Sequence, residues 1–349
     1  MVSDIHVQHF RSYEDASFEF GEGVNIIVGP NGSGKTNLLE AILVLARGGS
    51  YRVSDADLLR FGADWARLDA HTGNGGERTV KLQNQGTVKK TYQLDGKAYT
   101  RLPQQKHLPV VLFEPNHLFV LQGPPEGRRN YLDDILEQTT PGYTSFRKNY
   151  RRVLAQRNAL LKHPNTKNQD FFPWNLRLSE LGAVIHRTRR AFIDELNEAI
   201  TGLYHELAGE KTSLTLTYSS HLAPVEYETK LLRALEDNFE KDIARGFTTY
   251  GPHREDMQVL FDGNPAELVA SRGEIRSATL ALKILELQKL QTTTNQTPLL
   301  LLDDVFSELD GARRRALTAH LQAYQTFLTT TDADIVVKHF TTSTIIPLG

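Results

Sequence analysis

The run Gly29-Pro30-Asn31-Gly32-Ser33-Gly34-Lys35-Thr36 places glycines, a lysine and a hydroxyl at the spacing of a phosphate-holding loop. Gly29, Gly32 and Gly34 lack Cβ, so the backbone can turn tightly and aim N–H groups at phosphate oxygens where a helix begins. Lys35 would set its ammonium between the β and γ phosphates of a nucleotide. The Thr36 hydroxyl would take one position on Mg²⁺, which demands oxygen ligands, and Asn37 opens the following turn. A plain glycine-rich turn before a helix would explain neither the lysine nor the hydroxyl.

A second set of chemical groups lies far downstream. Leu299-Leu300-Leu301-Leu302 is a continuous apolar run closed by Asp303 and Asp304, as expected for a central parallel strand delivering acids to its C-terminal edge. Asp303 is the candidate metal ligand, and Asp304 is placed to polarise an attacking water. Between the two sets, Ser271-Arg272-Gly273-Glu274 opens a helical pattern. A helix start offers free N–H groups to phosphate, though simple capping by Ser271 accounts for the same residues. The elements that must position these groups are legible: Val24-Asn25-Ile26-Ile27-Val28 reads as a buried strand, and Asn37 to Leu45 reads as a helix.

The arrangement resembles the ABC-type P-loop ATPase heads of the SMC group. Within that group, several stretches are similar to the RecF family: Phe10-Arg11-Ser12-Tyr13, Gly34 to Ile42, Arg128-Arg129-Asn130-Tyr131-Leu132-Asp133, Gly251-Pro252-His253-Arg254-Glu255-Asp256, Ala270 to Glu274, and Leu302 to Asp310. The resemblance implies an α/β head of two lobes, a mixed α/β nucleotide-binding lobe and a mainly helical inserted lobe, without a long coiled coil. It implies ATP and Mg²⁺ as cofactors, with Lys35, Asp303 and Asp304 catalytic. Ser271, Arg272, Gly273 and Glu274 would act in trans on the nucleotide of a second copy, with Ser307 and Asp310 as the D-loop and Arg11 reaching the phosphates. It also implies an ATP-dependent homodimer on single- and double-stranded DNA at gapped junctions, with RecR and RecO as partners in recombinational repair. Two departures from most ABC enzymes stand out: Asp304 occupies the usual glutamate position, and no histidine follows Thr326 to Asp332. Both suit a slow, switch-like hydrolysis.

Composition narrows the remaining classes. The 349 residues are 40% hydrophobic and 23% charged, ordinary for a folded chain, and the absence of cysteine excludes disulfides and thiolate metal sites. No basic-then-apolar leader and no long apolar run occurs, which predicts a cytoplasmic protein with no membrane partner. The net charge of −2 gives no overall nucleic-acid signal, so a DNA site must be local. From Arg147 to Arg190 there are 11 Lys or Arg against Asp170 and Glu180, and from Ala191 to Asp242 the balance reverses to 11 acids against 4 bases. The competing readings are two helix faces that pair with each other and a basic face aimed at phosphates, with Arg128, Arg129, Arg151 and Arg152 as candidate DNA contacts.

Residues 1 to about 115 look β-rich, and about 124 to 248 mostly helical, interrupted by Pro164, Pro173, Gly182, Gly202 and Gly209. The expected domains are therefore 1–122 with 249–349 as the ATPase lobe and 123–248 as the helical lobe. The histidines are scattered without metal-ligand spacing. Glu114 and Gln122 both suit the position that joins the lobes, and His253 and Arg254 match a family motif without a physical role. A transporter-type ATPase subunit shares the site chemistry, but the 236 residues from Lys35 to Ser271 are far more than its usual separation. A nearly non-hydrolytic DNA-binding module is a further alternative, left open by Asp304.

Overall fold

The computed structural model describes residues 1–73, 75–163, 166–332, 336–340 and 342–349. Pro164 lies outside the described residues. The chain forms two compact units, 1–118 with 286–349, and 119–285.

In chain order the elements are β1 (Val2–Phe10), β2 (Tyr13–Glu19), β3 (Val24–Val28), α1 (Lys35–Arg47), β4 (Trp65–Thr72), β5 (Glu77–Asn84), β6 (Val88–Leu94), β7 (Lys97–Tyr99) and β8 (Val110–Phe113). The next stretch holds α2 (Pro125–Thr139), α3 (Tyr143–Leu161), α4 (Phe172–Asn197), α5 (Ile200–Ala208), β9 (Leu214–Ser219), α6 (Tyr227–Asp237), α7 (Phe239–Arg245), β10 (Asp256–Phe261), β11 (Asn264–Pro265) and α8 (Ala266–Val269). The chain continues with α9 (Arg272–Thr294), β12 (Leu299–Asp303), α10 (Gly311–Leu321), β13 (Thr326–Thr330) and β14 (Ser343–Pro347).

The first unit holds two sheets. One is antiparallel with order β2-β1-β4-β5-β6-β7, and the other has order β14-β3-β13-β12-β8 with every pairing parallel. Helix α1 is apolar on most of its surface, because Leu38, Leu39, Ile42 and Val44 join a core with Ile27, Leu301 and Phe327 from the parallel sheet and Val7, Leu68 and Val80 from the antiparallel one. Burial on both faces explains why β3 and β12 read as continuous apolar runs rather than alternating ones.

The second unit is mostly helical, with α4 packed against α3 and α6. It is not helical throughout: β9, β10 and β11 form a small antiparallel sheet in the order β11-β10-β9. That sheet corrects the expected boundary at residue 248, because β10 pairs with β9 along its whole length, from Asp256 opposite Ser219 to Phe261 opposite Leu214. Residues 249–285 therefore belong to the helical unit. No long coiled coil is present among the described residues.

Candidate nucleotide site

Strand β3 delivers the chain to the glycine loop, and Lys35 opens α1. Gly32 and Gly34 have φ of 86° and 98°, the left-handed region that glycine enters at no steric cost. A Cβ on Gly34 would lie 2.9 Å from both Ser12 Oγ and Tyr13 Oη. Gly34 precedes α1 with no side chain capping it, so the first N–H groups of the helix are left for a ligand. The buried Lys35 ammonium donates to the carbonyls of Gly29 at 2.6 Å and Pro30 at 2.8 Å, while Asn31 and Gly32 are exposed at the loop tip. Ser33 Oγ is buried and has no hydrogen-bond partner among the described residues.

Strand β12 brings the two downstream acids to the same place. Thr36 Oγ1 donates to Asp303 Oδ1 at 3.0 Å, joining residues 267 positions apart. Thr329, buried on β13, donates from Oγ1 to Asp303 Oδ1 at 2.8 Å and accepts from the Asp304 N–H at 2.9 Å, so one hydroxyl orients both acids. Asp304 adopts the left-handed region, φ 51°, and its Oδ1 is buried without a hydrogen-bond partner among the described residues. Burial, aided by the negative charge of Asp303 and opposed by a hydrogen bond from Ser307, raises the Asp304 carboxyl above its ordinary pKa. Ser307 Oγ donates to the Asp304 carbonyl at 2.7 Å, and Asp310 caps α10 by accepting from Arg313 N at 2.9 Å.

The residues between β1 and α1 brace this centre in a way the sequence did not announce. Tyr13 Oη donates to the Gly34 carbonyl at 3.1 Å, and Asn37 Nδ2 donates to Ser12 Oγ at 2.8 Å. Arg11 is held within the protein, its Nε 2.8 Å from the buried Glu40 carboxylate and its Nη1 donating to the Asp57 carbonyl at 3.0 Å. Tyr51 is raised in pKa by burial and then by the charges of Glu114 and Asp303; Phe113 lies opposite Leu302 in the sheet, so Glu114 follows β8 at the same edge at which Asp303 ends β12. Gln122 lies in the other unit. Thr329 and Tyr51 belong to no motif; Tyr13 closes the Phe10-Arg11-Ser12-Tyr13 stretch, which gave it no role of its own, and the threonine-rich stretch after Gln325 is the signal for Thr329.

Ser271 and Glu274 form a reciprocal cap on α9. Ser271 N donates to Glu274 Oε2 at 2.7 Å and Glu274 N donates to Ser271 Oγ at 3.2 Å, so the capping geometry is present. Ser271 and Arg272 are exposed, and Gly273 is half-buried.

The candidate DNA arginines divide sharply. Arg128 is buried and cannot serve a surface ligand: its Nε and Nη2 grip Asp256 at 2.9 and 2.6 Å, and its Nη1 donates to the Gly123 carbonyl. Arg129 is half-buried, while Arg151 and Arg152 are exposed on α3. The basic run is likewise not one continuous face. Arg147 and Arg189 pair with Asp133, and Arg157 pairs with Asp242, all of them buried.

The sequence pattern of the family described as RecF/RecN/SMC N terminal domain matches residues 1–345. The DNA replication and repair protein RecF of Ruminiclostridium cellulolyticum is 33% identical over 96% of this chain and 93% of its own length. That of Streptococcus thermophilus is 36% identical over 95% and 93%. This chain belongs to the RecF family. A solved RecF structure, described as the recombination mediator protein RecF-ATPrS in the RecFOR pathway, superposes with a TM-score of 0.86 at 29% identity, covering 96% of this chain and 94% of that one. An Smc head bound to the C-winged helix domain of ScpA shares the fold, at a TM-score of 0.54 and 17% identity over 97% and 91% of the two chains. The RecF fold is thus the SMC-type ATPase head expected from the motifs. Among the described residues no helix is long and apolar enough to cross a membrane.

Proposed function

We propose that the chain is an ATP-dependent DNA-binding clamp of the cytoplasm that pairs with a second copy on ATP and acts in recombinational repair at gaps and single-strand/double-strand junctions. The observation that carries the nucleotide part is the Thr36–Asp303 hydrogen bond at the foot of the glycine loop, with Lys35 beside it. The residues fit the ligands. An uncapped helix start, a Ser33 Oγ without a hydrogen-bond partner among the described residues, and left-handed glycines suit a polyphosphate. Thr36 and Asp303 offer hard oxygen donors of the kind Mg²⁺ takes alongside phosphates and water. Bound Mg²⁺ supplies neutralisation of charge developing on the phosphate oxygens.

In this reading Lys35 exchanges its loop carbonyls for phosphate oxygens, Thr329 keeps Asp303 and Asp304 aligned, and Asp304 accepts a proton from the attacking water. The solved relatives named RecF-ATPrS and RecF-ATP support ATP as the nucleotide. Ser271 and Gly273, exposed or half-exposed at the start of α9, would complete the pocket of a second copy, with Ser307 and Asp310 at the same interface. Slow, DNA-stimulated hydrolysis then ends the clamped state. RecO and RecR are the partners the family assignment favours, with recombinase loading as the outcome.

A mixing experiment tests the shared pocket. Lys35→Ala and Ser271→Arg chains are each inactive alone, and an equimolar mixture regains turnover, because the mixed dimer contains one undamaged site. Absence of recovery, with sedimentation showing monomers at saturating Mg·ATP and DNA, would refute the clamp.

A further inference from the structure

The helical unit holds a cavity of about 230 Å³ walled by α2, α3, α4 and the turn at Pro252 and His253. Its charges are not balanced. Asp133, on the floor, is shared by Arg189, at 2.8 and 2.9 Å, and Arg147, at 2.8 Å, and Arg147 also meets Glu137. Those two guanidiniums are therefore neutralised, whereas Arg129 and Arg151 form no ion pair among the described residues. Arg129 Nη1 donates to the backbone carbonyl of Glu255 at 2.9 Å, while the Glu255 carboxylate is turned away to Ser220, Tyr227 and His186. The neighbouring Asp256 is taken by Arg128. Burial and then repulsion by Arg189 lower the Arg129 pKa, outweighing the opposing charges of Asp256 and Glu126. Arg151 stands exposed at the rim, and Glu126 is the remaining acid of the lining.

The opposite wall is tied together by hydrogen bonds. His253 Nδ1 meets Tyr150 Oη at 2.7 Å and its Nε2 meets the Thr248 carbonyl at 3.0 Å. The carbonyl fixes Nε2 as the protonated nitrogen, so Nδ1 accepts from the tyrosine. A Cβ on Gly251, whose φ is 125°, would fall 2.5 Å from the same hydroxyl. This gives the Gly251-Pro252-His253 motif a physical role: it sets one side of the cavity.

The geometry points to this cavity as a seat for a tetrahedral oxyanion, a phosphoryl group of a nucleic-acid backbone, gripped by Arg129 and Arg151 over the paired Arg147 and Arg189. Two guanidiniums in the lining, one from α2 and one from α3, supply the N–H donors such oxygens accept, and a backbone phosphate brings negative charge to a lining with four arginines. The source of the oxyanion rests on the DNA-binding reading; the seat itself does not.

Sulfate is the first probe, titrated at constant ionic strength into Lys35→Ala protein, which weakens competition from the glycine loop, with the melting temperature as readout. A saturable rise is expected, unchanged in Arg152→Gln and weakened on the order of tenfold in affinity by Arg129→Gln or Arg151→Gln. Arg151 is exposed, so its substitution leaves the fold intact even if that of half-buried Arg129 does not. The second probe is duplex DNA with ATP, on chains that keep Lys35, where Arg151→Gln flattens the slope of log affinity against log salt by about one. An unaltered sulfate response in Arg151→Gln overturns the seat. A lost sulfate response with an unchanged DNA slope overturns the backbone phosphate as its occupant. An intact sulfate response in a protein that binds no DNA overturns the clamp and upholds the seat.

Discussion

Replacing Asp133 by Asn probes the charge arrangement on which the cavity depends. The carboxylate accepts from Arg189 on both oxygens, from Tyr143 Oη at 2.6 Å and from Arg147, and all four residues are buried. Burial alone would raise its pKa, but the charge and hydrogen bonds of Arg189, with Arg147 and Tyr143, outweigh it and hold the carboxyl below the ordinary range. Asn keeps the shape and one acceptor oxygen while leaving the buried Arg189 without a carboxylate partner among the described residues, Arg147 keeping Glu137, a change that costs about 3–5 kcal/mol. For a unit spanning residues 119–285, roughly 2–4 °C per kcal/mol converts this to a melting transition lowered by about 6–20 °C at pH 7. The pH dependence has a definite sign. A carboxyl whose pKa is lower folded than unfolded stabilises fully above about pH 4–5, and that contribution is lost as pH falls toward the folded value. Scanning calorimetry should therefore show the gap between the parent and Asp133→Asn narrowing from pH 5 downward. A shift below about 2 °C at pH 7, or a gap that stays constant down to pH 3, would refute the reasoning.

His253 is held neutral, its pKa pushed down to about 4 chiefly by burial. Stability should fall as pH drops from about 6.5 toward 4, by roughly 3 kcal/mol from this group, and urea titrations of His253→Gln should lose that part of the slope. Asp304, raised above the usual carboxylate range, should give ATP turnover an acidic limb at higher pH than an ordinary aspartate, and Asp304→Asn should abolish turnover while fluorescent nucleotide still binds. Gly34→Ala places a Cβ against Ser12 and Tyr13 at a left-handed φ, a strain of about 1–2 kcal/mol before any contact, so nucleotide affinity should fall at least about tenfold by calorimetric titration. Thr329→Val removes the hydroxyl between Asp303 and Asp304, and should lower turnover far more than nucleotide affinity in the same assays.

The nucleotide site was legible because its chemistry restricts residue type at fixed spacing. Strand β3 spans Val24–Val28 as read, and α1 begins two residues before the expected Asn37 because Lys35 and Thr36 already follow helical geometry. The helical unit was less legible. Strand β9 is a short alternating stretch inside a helical context, and its partner β10 lies beyond α7, so local pattern alone placed the boundary too early. The charge run misled for a related reason. A count of arginines cannot show that Arg128, Arg157 and Arg189 meet acids 128, 85 and 56 residues away. Thr329 was invisible because a buried threonine in a parallel strand is an ordinary residue until its neighbours are known.

The order of the parallel sheet has a consequence for how the protein is made. The glycine-loop strand β3 is flanked by β13 and β14, and the Leu348 N–H reaches back to the Val28 carbonyl at 2.7 Å. A nascent chain emerging from the ribosome carries the phosphate loop early, yet the strands that brace it arrive only after residue 325. Until β13 and β14 are made, β3 is an apolar ribbon with open edges, exposed to mispairing and to chaperones, while the segment 119–285 already holds its own compact unit. Nucleotide competence is thereby postponed until β13 and β14 emerge, and a ribosome stalled before β13 releases a chain with a folded middle and no working loop.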